Sequence, residues 1–139
     1  MGKRNNLSMA TVFGMLTEYF NGRPDFRLVL VYGSAAKGNF RATSDVDIAV
    51  ANDGAIDREL LCGTAAELSV LLGREVDMID LYRAEGLILY RVMVEGRRIR
   101  TDGSLFVKYK AKALGYREDF KPLQDMMRNA RIWRFVHGS

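Results

Sequence analysis

Apolar residues recur every three or four positions in three stretches of the chain, which is the spacing of an amphipathic helix. These stretches stop at Asn21-Gly22, at Gly73 and at Gly96, and glycine is favoured just beyond the end of a helix. The predicted helices cover residues 9–20, 56–72 and 84–95.

Short runs rich in β-branched and aromatic residues lie between these helices and predict three strands, over residues 27–32, 46–51 and 75–81. The first strand runs into a tight turn at Gly33. The second and third are joined by a helix, which favours a parallel crossover between them. The chain should therefore adopt a mixed α/β (α+β) fold, with a small mixed sheet flanked by helices.

The C-terminal part of the chain carries an apolar seam with alternate spacings of four and three residues, typical of a packed helix. The seam consists of Tyr109, Ala113, Tyr116, Phe120, Leu123, Met127 and Ala130. Gly115 and Pro122 are expected to break or bend this helix. We predict a core over residues 1–103 and a helical extension over 104–139 that packs on it within a single domain. Docking of a partner is the alternative use of the seam.

Composition limits the kind of site that the chain can hold. Its 139 residues, 48% of them apolar, are enough for one domain with a buried core. No apolar run is long enough for a membrane span or a signal peptide, so we expect a cytoplasmic protein without membrane contact. Cys62 and His137 are the sole residues of their types, which excludes an internal disulfide and a zinc cluster. Any bound metal must have oxygen ligands.

Two carboxylates share the start of the second predicted strand. Asp45 and Asp47 are two positions apart, so their side chains project on the same side while the residues between and beyond them face the core. Like charges this close repel each other unless a cation neutralises them. Aspartate oxygens alone favour Mg²⁺, which takes part of its coordination shell from substrate phosphates.

A candidate phosphate site, Gly33-Ser34, lies ten residues before this pair. Glycine lets the backbone approach a phosphate closely, and the serine hydroxyl and following N–H groups can donate to it. If the second strand turns back beside the first, this turn and the Asp pair meet at one edge of the sheet. Lys37 and Arg41 in the intervening loop are candidates for further phosphate contacts, with solvated loop charges as the alternative.

A third carboxylate is expected from the third strand. Parallel strands begin at the same edge, so Asp77 would join Asp45 and Asp47, whereas Asp80 has the opposite parity and should point to the other face. Asp77 is therefore the preferred third ligand.

These residues resemble the signature of the minimal nucleotidyltransferases of the DNA polymerase beta-like superfamily: Gly-Ser, ten residues, then Asp-x-Asp. The sequence pattern of that group is also matched in the segment VYGSAAKGNFRATSDVDIAV, at Gly38, Arg41 and Ser44. Lys37 stands where arginine is common. EVDMIDL resembles the strand of the third carboxylate. A chain this short is also similar to the MntA-type antitoxins of the group, which pair with a helical HEPN toxin.

The resemblance implies a nucleotidyltransferase fold and transfer of AMP from ATP to a hydroxyl of the HEPN toxin, commonly a tyrosine. Asp45, Asp47 and Asp77 would hold two Mg²⁺ ions and carry the catalysis. Gly33, Ser34, Lys37, Arg41 and Ser44 would bind the nucleotide.

Three alternatives remain open from the sequence. The chain can act as an antitoxin that covers its partner without catalysis, although it keeps all three carboxylates. It can be a small-molecule nucleotidyltransferase, although little length is left for an acceptor domain. Direct nucleic-acid binding by residues 104–139, which hold 8 basic and 3 acidic side chains, is the weakest of these alternatives.

Overall fold

A four-stranded sheet with the strand order β3-β2-β1-β4 forms the centre of the protein. The structure, a computed structural model, describes residues 8–37 and 44–128, with side chains of the last helix as far as Tyr116. The strands are β1 (Leu28–Tyr32), β2 (Val46–Ala51), β3 (Val76–Asp80) and β4 (Arg97–Arg100). β1 runs antiparallel to both β2 and β4, while β2 and β3 are parallel. The sheet is therefore mixed, as the sequence predicts.

Helices cover both faces of this sheet. They are α1 (Met9–Asn21), α2 (Ser34–Lys37), α3 (Arg58–Leu72), α4 (Gly86–Glu95) and α5 (Gly103–Arg128), with a 3₁₀ turn at Leu81–Arg83. α1 and α3 bury their apolar stripes on one face, around Val29, Ile48 and Val50. α4 and α5 pack on the other face, against Leu28 and Leu30. The predicted α/β fold with three main strands and flanking helices is confirmed.

The strand β4 was not expected, because its sequence RRIR has neither the length nor the apolar content that predicts a strand. Its arginines are accommodated by aromatic rings: Arg97 lies 4.8 Å from the ring centre of Phe13, and Arg98 lies 4.1 Å from that of Phe106. Ile99 packs against the core on the α1 face. Tertiary contacts of the side chains thus create a strand where the local pattern gives no signal.

The C-terminal helix is not broken at Gly115 or Pro122, where the sequence predicted a break or a bend; the bend stays a prediction. α5 runs without interruption from Gly103 to Arg128, through both Gly115 and Pro122. A glycine inside a helix costs about 1 kcal/mol and a proline about 3 kcal/mol, through a lost hydrogen bond and a clash with a preceding carbonyl, and the helix is continuous despite both. The proposed boundary after residue 103 remains a prediction, but two seam residues, Tyr109 and Ala113, are buried against α4 and the sheet. The seam beyond Tyr116 lies outside the described side chains.

None of the described helices combines the length and apolar character that crossing a membrane requires.

Asp102 fixes the start of α5 to the sheet. Its carboxylate accepts hydrogen bonds from the Leu105 backbone N–H at 3.1 Å and from the Ser104 hydroxyl at 2.9 Å. It also accepts from Arg27 Nη2 at 2.6 Å. Together these donors, the Leu105 N–H first, lower the pKa of Asp102 to about 2.

We expect the Asp102→Asn variant to melt at a lower temperature at pH 7 and to show a weaker dependence of stability on acid. Because folding lowers the pKa of Asp102, its contribution is complete above the ordinary pKa of about 4 and fades as pH falls towards 2. Thermal melts between pH 7 and pH 2 measure this difference. Asp53→Asn is the control, since Asp53 also pairs with Arg27 but is 78% exposed. Equal acid dependence in the wild type and Asp102→Asn would contradict the prediction.

Candidate active site

Three side chains are brought together where β1 ends and β2 and β3 begin. In the strand register Tyr32 lies opposite Asp47, and Asp47 lies opposite Asp77. Residues in register share a face of the sheet, and alternation places these three on the face of Leu30, which α4 and α5 cover. Asp45 lies immediately before β2 and is exposed. The position of Asp47 beside Asp77, with Asp45 close enough to act on Asp47 electrostatically, follows from the antiparallel turn and the parallel crossover.

Gly33 brings the Gly-Ser turn directly against this group. Its backbone has a φ of 76°, in the left-handed region that favours glycine. A Cβ atom at this position would lie 2.5 Å from Asp47 Oδ2. The turn and the carboxylate are therefore in contact, and the glycine is required both by its backbone and by the available space.

Burial and neighbouring charges both act on the Asp47 carboxylate. Burial first, and then the charges of Asp77 and Asp45, raise the pKa of Asp47 to about 6. Burial together with Asp47 and Asp77 raises the pKa of the Tyr32 hydroxyl to about 12. The site therefore carries an excess of negative charge in a half-buried position, where a cation would be stabilised.

The donor set fits Mg²⁺ by its chemistry, because it consists of aspartate oxygens that repel one another in the absence of a cation. Within residues 8–37 and 44–128, no three side chains of His, Cys, Asp or Glu are arranged closely enough to form a metal site. The assignment of Asp45, Asp47 and Asp77 as Mg²⁺ ligands therefore stays a prediction, which rests on their chemistry and their strand positions.

The other predicted nucleotide-binding residues have different surroundings. Ser34 is the first residue of α2 and Lys37 is the last, so the expected tight turn continues into a short helix. Lys37 Nζ lies 3.4 Å from Glu95 Oε1. The backbone carbonyl of Ser44 accepts a hydrogen bond from Arg74 Nη1 at 3.1 Å. Arg41 lies outside the described residues, so its contact with phosphate stays a prediction.

Sequence reasoning missed Tyr32 and Arg91, which lie near the aspartates, and Glu95, which pairs with Arg91 and Lys37. Arg91 lowers the pKa of Asp47, although burial and the neighbouring carboxylates have the larger, opposite effect. Arg91 therefore lies near the site. Arg91 and Glu95 are four residues apart on α4, a spacing at which oppositely charged side chains can pair. The spacing was visible in the sequence, but it did not indicate which end of the sheet the pair would face.

Asp80 points to the opposite face of the sheet, as strand alternation predicts. Its carboxylate accepts from the backbone N–H groups of Ile56 at 2.8 Å and Tyr82 at 3.0 Å, and pairs with Arg83 at 2.8 Å. Its side chain is only 2% exposed. These contacts give Asp80 a structural role in joining the loop before α3 to the end of β3.

We expect the Asp80→Asn variant to lose about 2 kcal/mol of unfolding free energy, because one charged acceptor shared by three donors is replaced by a neutral amide. Chemical denaturation measures the loss. Asp77→Asn is the matched variant on the same strand, and its exposed side chain predicts a change below about 0.5 kcal/mol. Equal losses in the two variants would contradict the structural role of Asp80.

Comparisons with known proteins concern the family and the fold of this chain. The family model for polymerase beta nucleotidyltransferases matches residues 14–102, more than half of the chain. The protein adenylyltransferase MntA of Shewanella oneidensis is 29% identical over 86 residues, an alignment that covers 60% of this chain and 62% of MntA. The chain thus spans less than two thirds of that relative.

Solved structures resemble the fold over most of the chain. A chain in the crystal structure of a toxin-antitoxin with AMP-PNP superposes with a TM-score of 0.67 at 20% identity, covering 88% of this chain and 97% of that one. A chain in the complex of a tri-AMPylated Shewanella oneidensis HEPN toxin with its MNT antitoxin gives a TM-score of 0.63 at 17% identity, covering 84% and 96%. At these identities the likeness concerns the fold. The family match over residues 14–102 shows that the chain belongs to the polymerase beta nucleotidyltransferase family.

Proposed function

We propose that this chain is a Mg²⁺-dependent protein adenylyltransferase that acts as a cytoplasmic antitoxin, transferring AMP from ATP to a tyrosine hydroxyl of a HEPN-type toxin. The observation that carries the proposal is the contact of the Gly33-Ser34 turn with Asp47, which lies in register with Asp77. A phosphate-binding turn beside a carboxylate cluster is the arrangement that transfer of a nucleotidyl group requires. The relative MntA, a protein adenylyltransferase, supports the choice of acceptor class.

The aspartates have the first role in this reaction. Asp45, Asp47 and Asp77 would hold two Mg²⁺ ions at the start of β2 and β3. When bound, the metal neutralises charge that develops on the phosphoryl oxygens and lowers the pKa of an attacking hydroxyl. The repulsion that raises the pKa of Asp47 would then be replaced by attraction to the cation.

The remaining site residues orient the nucleotide. The Ser34 hydroxyl and the backbone N–H groups that follow Gly33 would donate to the β- and γ-phosphates, while Lys37 and Arg41 would add positive charge. Ser44, which stands just before Asp45, would help to fix the end of the loop. Such positioning supplies much of the rate enhancement in phosphoryl transfer.

The reaction exchanges one phosphorus–oxygen bond for another. The acceptor hydroxyl oxygen forms a bond to the α-phosphorus, and the bond from that phosphorus to the oxygen bridging to the β-phosphate breaks. Pyrophosphate leaves with the electron pair of the broken bond, and the hydroxyl proton is released to solvent. The acceptor becomes an AMP ester.

A transfer assay tests the proposal directly. The chain is incubated with Mg²⁺, ATP labelled at the α-phosphate and the product of the neighbouring gene, as the candidate HEPN protein, and label on that protein is counted. We expect wild type and Asp25→Ala to transfer label and Asp45→Ala/Asp47→Ala to transfer none. Asp25 is a suitable control because it is an exposed aspartate at the opposite end of β1. Equal labelling by the double variant would refute catalysis at this site.

The same assay separates catalysis from neutralisation by covering the toxin. If the double variant transfers no label yet still silences the HEPN protein at equal concentration, steric binding explains the antitoxin effect. If label reaches only a small molecule added from a panel of amine and hydroxyl acceptors, the chain is a small-molecule nucleotidyltransferase. If label reaches the HEPN protein, substitution of its tyrosines identifies the acceptor residue.

A further inference from the structure

Arg91 on α4 is a basic side chain that acts electrostatically on Asp47 and Tyr32. The helix is anchored by Leu89, Val92 and Met93, which are buried on the face that also carries Tyr32 and Asp47. The Arg91 guanidinium lowers the pKa of both Asp47 and Tyr32 against the other causes that raise them. The packing of α4 thus places this cation beside the aspartates.

A single carboxylate oxygen holds Arg91 and Lys37 together. Glu95 Oε1 lies 3.4 Å from Lys37 Nζ and 3.7 Å from Arg91 Nε. Lys37 comes from α2, immediately after the Gly33-Ser34 turn, whereas Arg91 and Glu95 belong to α4. Two cations from different sides of the site therefore converge on one counterion, and all three side chains are between 30% and 40% exposed.

The hydrogen bonding of Arg91 is incomplete. Its Nε atom is buried and has no hydrogen-bond acceptor among the part of the chain that the structure describes. The distance of 3.7 Å to Glu95 is an ion-pair contact and is too long for a hydrogen bond. A planar guanidinium matches the paired oxygens of a phosphate, which it can bind with two parallel hydrogen bonds.

We propose that Arg91 binds a phosphate group of the nucleoside triphosphate, and that Glu95 is a positioning residue which holds Arg91 and Lys37 until the phosphates replace it. This inference rests on the proposed function, since it assigns the triphosphate to the same site. Glu95 competes with the phosphates for both cations, so the two residues of one helix have opposite effects on nucleotide affinity.

Nucleotide affinity measured by titration calorimetry with ATP and Mg²⁺ tests the role of Arg91. We expect Arg91→Gln to raise the Kd for ATP at least about tenfold, the scale of one lost charge-assisted hydrogen bond. Arg91→Lys should recover part of the affinity, because it keeps the charge and loses the planar fork. Arg58→Gln, an exposed arginine on α3 away from the site, is the control and should bind like wild type. An unchanged Kd in Arg91→Gln would overturn the proposal.

A variant of Glu95 tests whether this residue competes with the phosphates, because a purely structural role would not predict tighter binding of ATP. We expect Glu95→Gln to lower the Kd for ATP about two- to fivefold, the scale of a partly exposed ion pair. In the Arg91→Gln background the same change should have a smaller effect, because one of the released cations is missing. A weaker affinity in Glu95→Gln, or full additivity of the two changes, would overturn its role as a competing counterion.

Different results would refute the proposed AMP transfer and the proposed role of Arg91. If wild type binds ATP and Arg91→Gln weakens that binding while no AMP is transferred to protein, the inference stands and the proposed function fails. If AMP is transferred and Arg91→Gln leaves both Kd and KM unchanged, the proposed function stands and the inference fails. If wild type binds no nucleoside triphosphate, both fail.

Discussion

The Asp47→Asn variant should lose at least about 1000-fold of the AMP transfer rate while it remains folded. Asp47 lies between Tyr32 and Asp77 in the sheet register and touches the Gly-Ser turn, so its charge is central to any cation held there. A 1000-fold loss corresponds to about 4 kcal/mol of transition-state stabilisation, a scale that electrostatic and metal-ion catalysis supplies. Single-turnover assays with labelled ATP measure the loss. Asp25→Asn, with the same change at an exposed position, should keep wild-type activity.

The same substitution should stabilise the protein when Mg²⁺ is absent. Because folding raises the pKa of Asp47 to about 6, its carboxylate opposes folding above that pH and has no such effect below about 4. At pH 7 and without Mg²⁺ we expect Asp47→Asn to gain about 1 kcal/mol, a value reduced for solvent screening at a half-buried site. Denaturation at pH 7 and pH 4 measures the difference. A loss of stability at pH 7, with a loss of activity, would indicate that the variant is inactive because it is misfolded.

The sequence carried enough information for three strands and their connections. β1 and β2 are apolar runs buried along nearly their whole length, and runs of this kind can be recognised as strands in the sequence. The helix between β2 and β3 made their parallel pairing predictable. β4 could not be recognised in this way, because it is rich in arginine, and Arg97 and Arg98 lie on aromatic rings contributed by α1 and α5. Contacts between residues far apart in sequence decide that strand.

The residues of the candidate site were also predictable only in part. The meeting of Gly33, Asp47 and Asp77 followed from alternation and strand direction, which are local rules applied to short runs. The positions of Arg91 and Glu95 depend on how α4 rotates when its buried stripe packs on the sheet. A charged pair on an amphipathic helix is usually solvated, so the sequence favoured that interpretation. Because α4 packs near the aspartates, we interpret Arg91 and Glu95 as part of the proposed nucleotide site.

Gly33→Ala should lower the transfer rate about 100-fold and destabilise the fold by about 1 to 2 kcal/mol. The destabilisation arises because a residue with a Cβ atom is disfavoured at a φ of 76°. The loss of activity has a separate cause: the new methyl group would lie 2.5 Å from Asp47 Oδ2, so the carboxylate or the turn must move. A displacement of about 1 Å between catalytic groups is enough for a 100-fold effect.

Gly86→Ala separates these two causes. Gly86 has a φ of 64°, close to that of Gly33, but a Cβ atom there meets only Tyr116 at an ordinary contact distance of 3.9 Å. Both variants should therefore lose similar stability in chemical denaturation, and only Gly33→Ala should lose transfer activity. If Gly86→Ala were equally inactive, backbone strain alone would account for the loss at Gly33. If Gly33→Ala were fully active, the Gly-Ser turn would tolerate a shift against Asp47, and close contact between them would be unnecessary for the reaction.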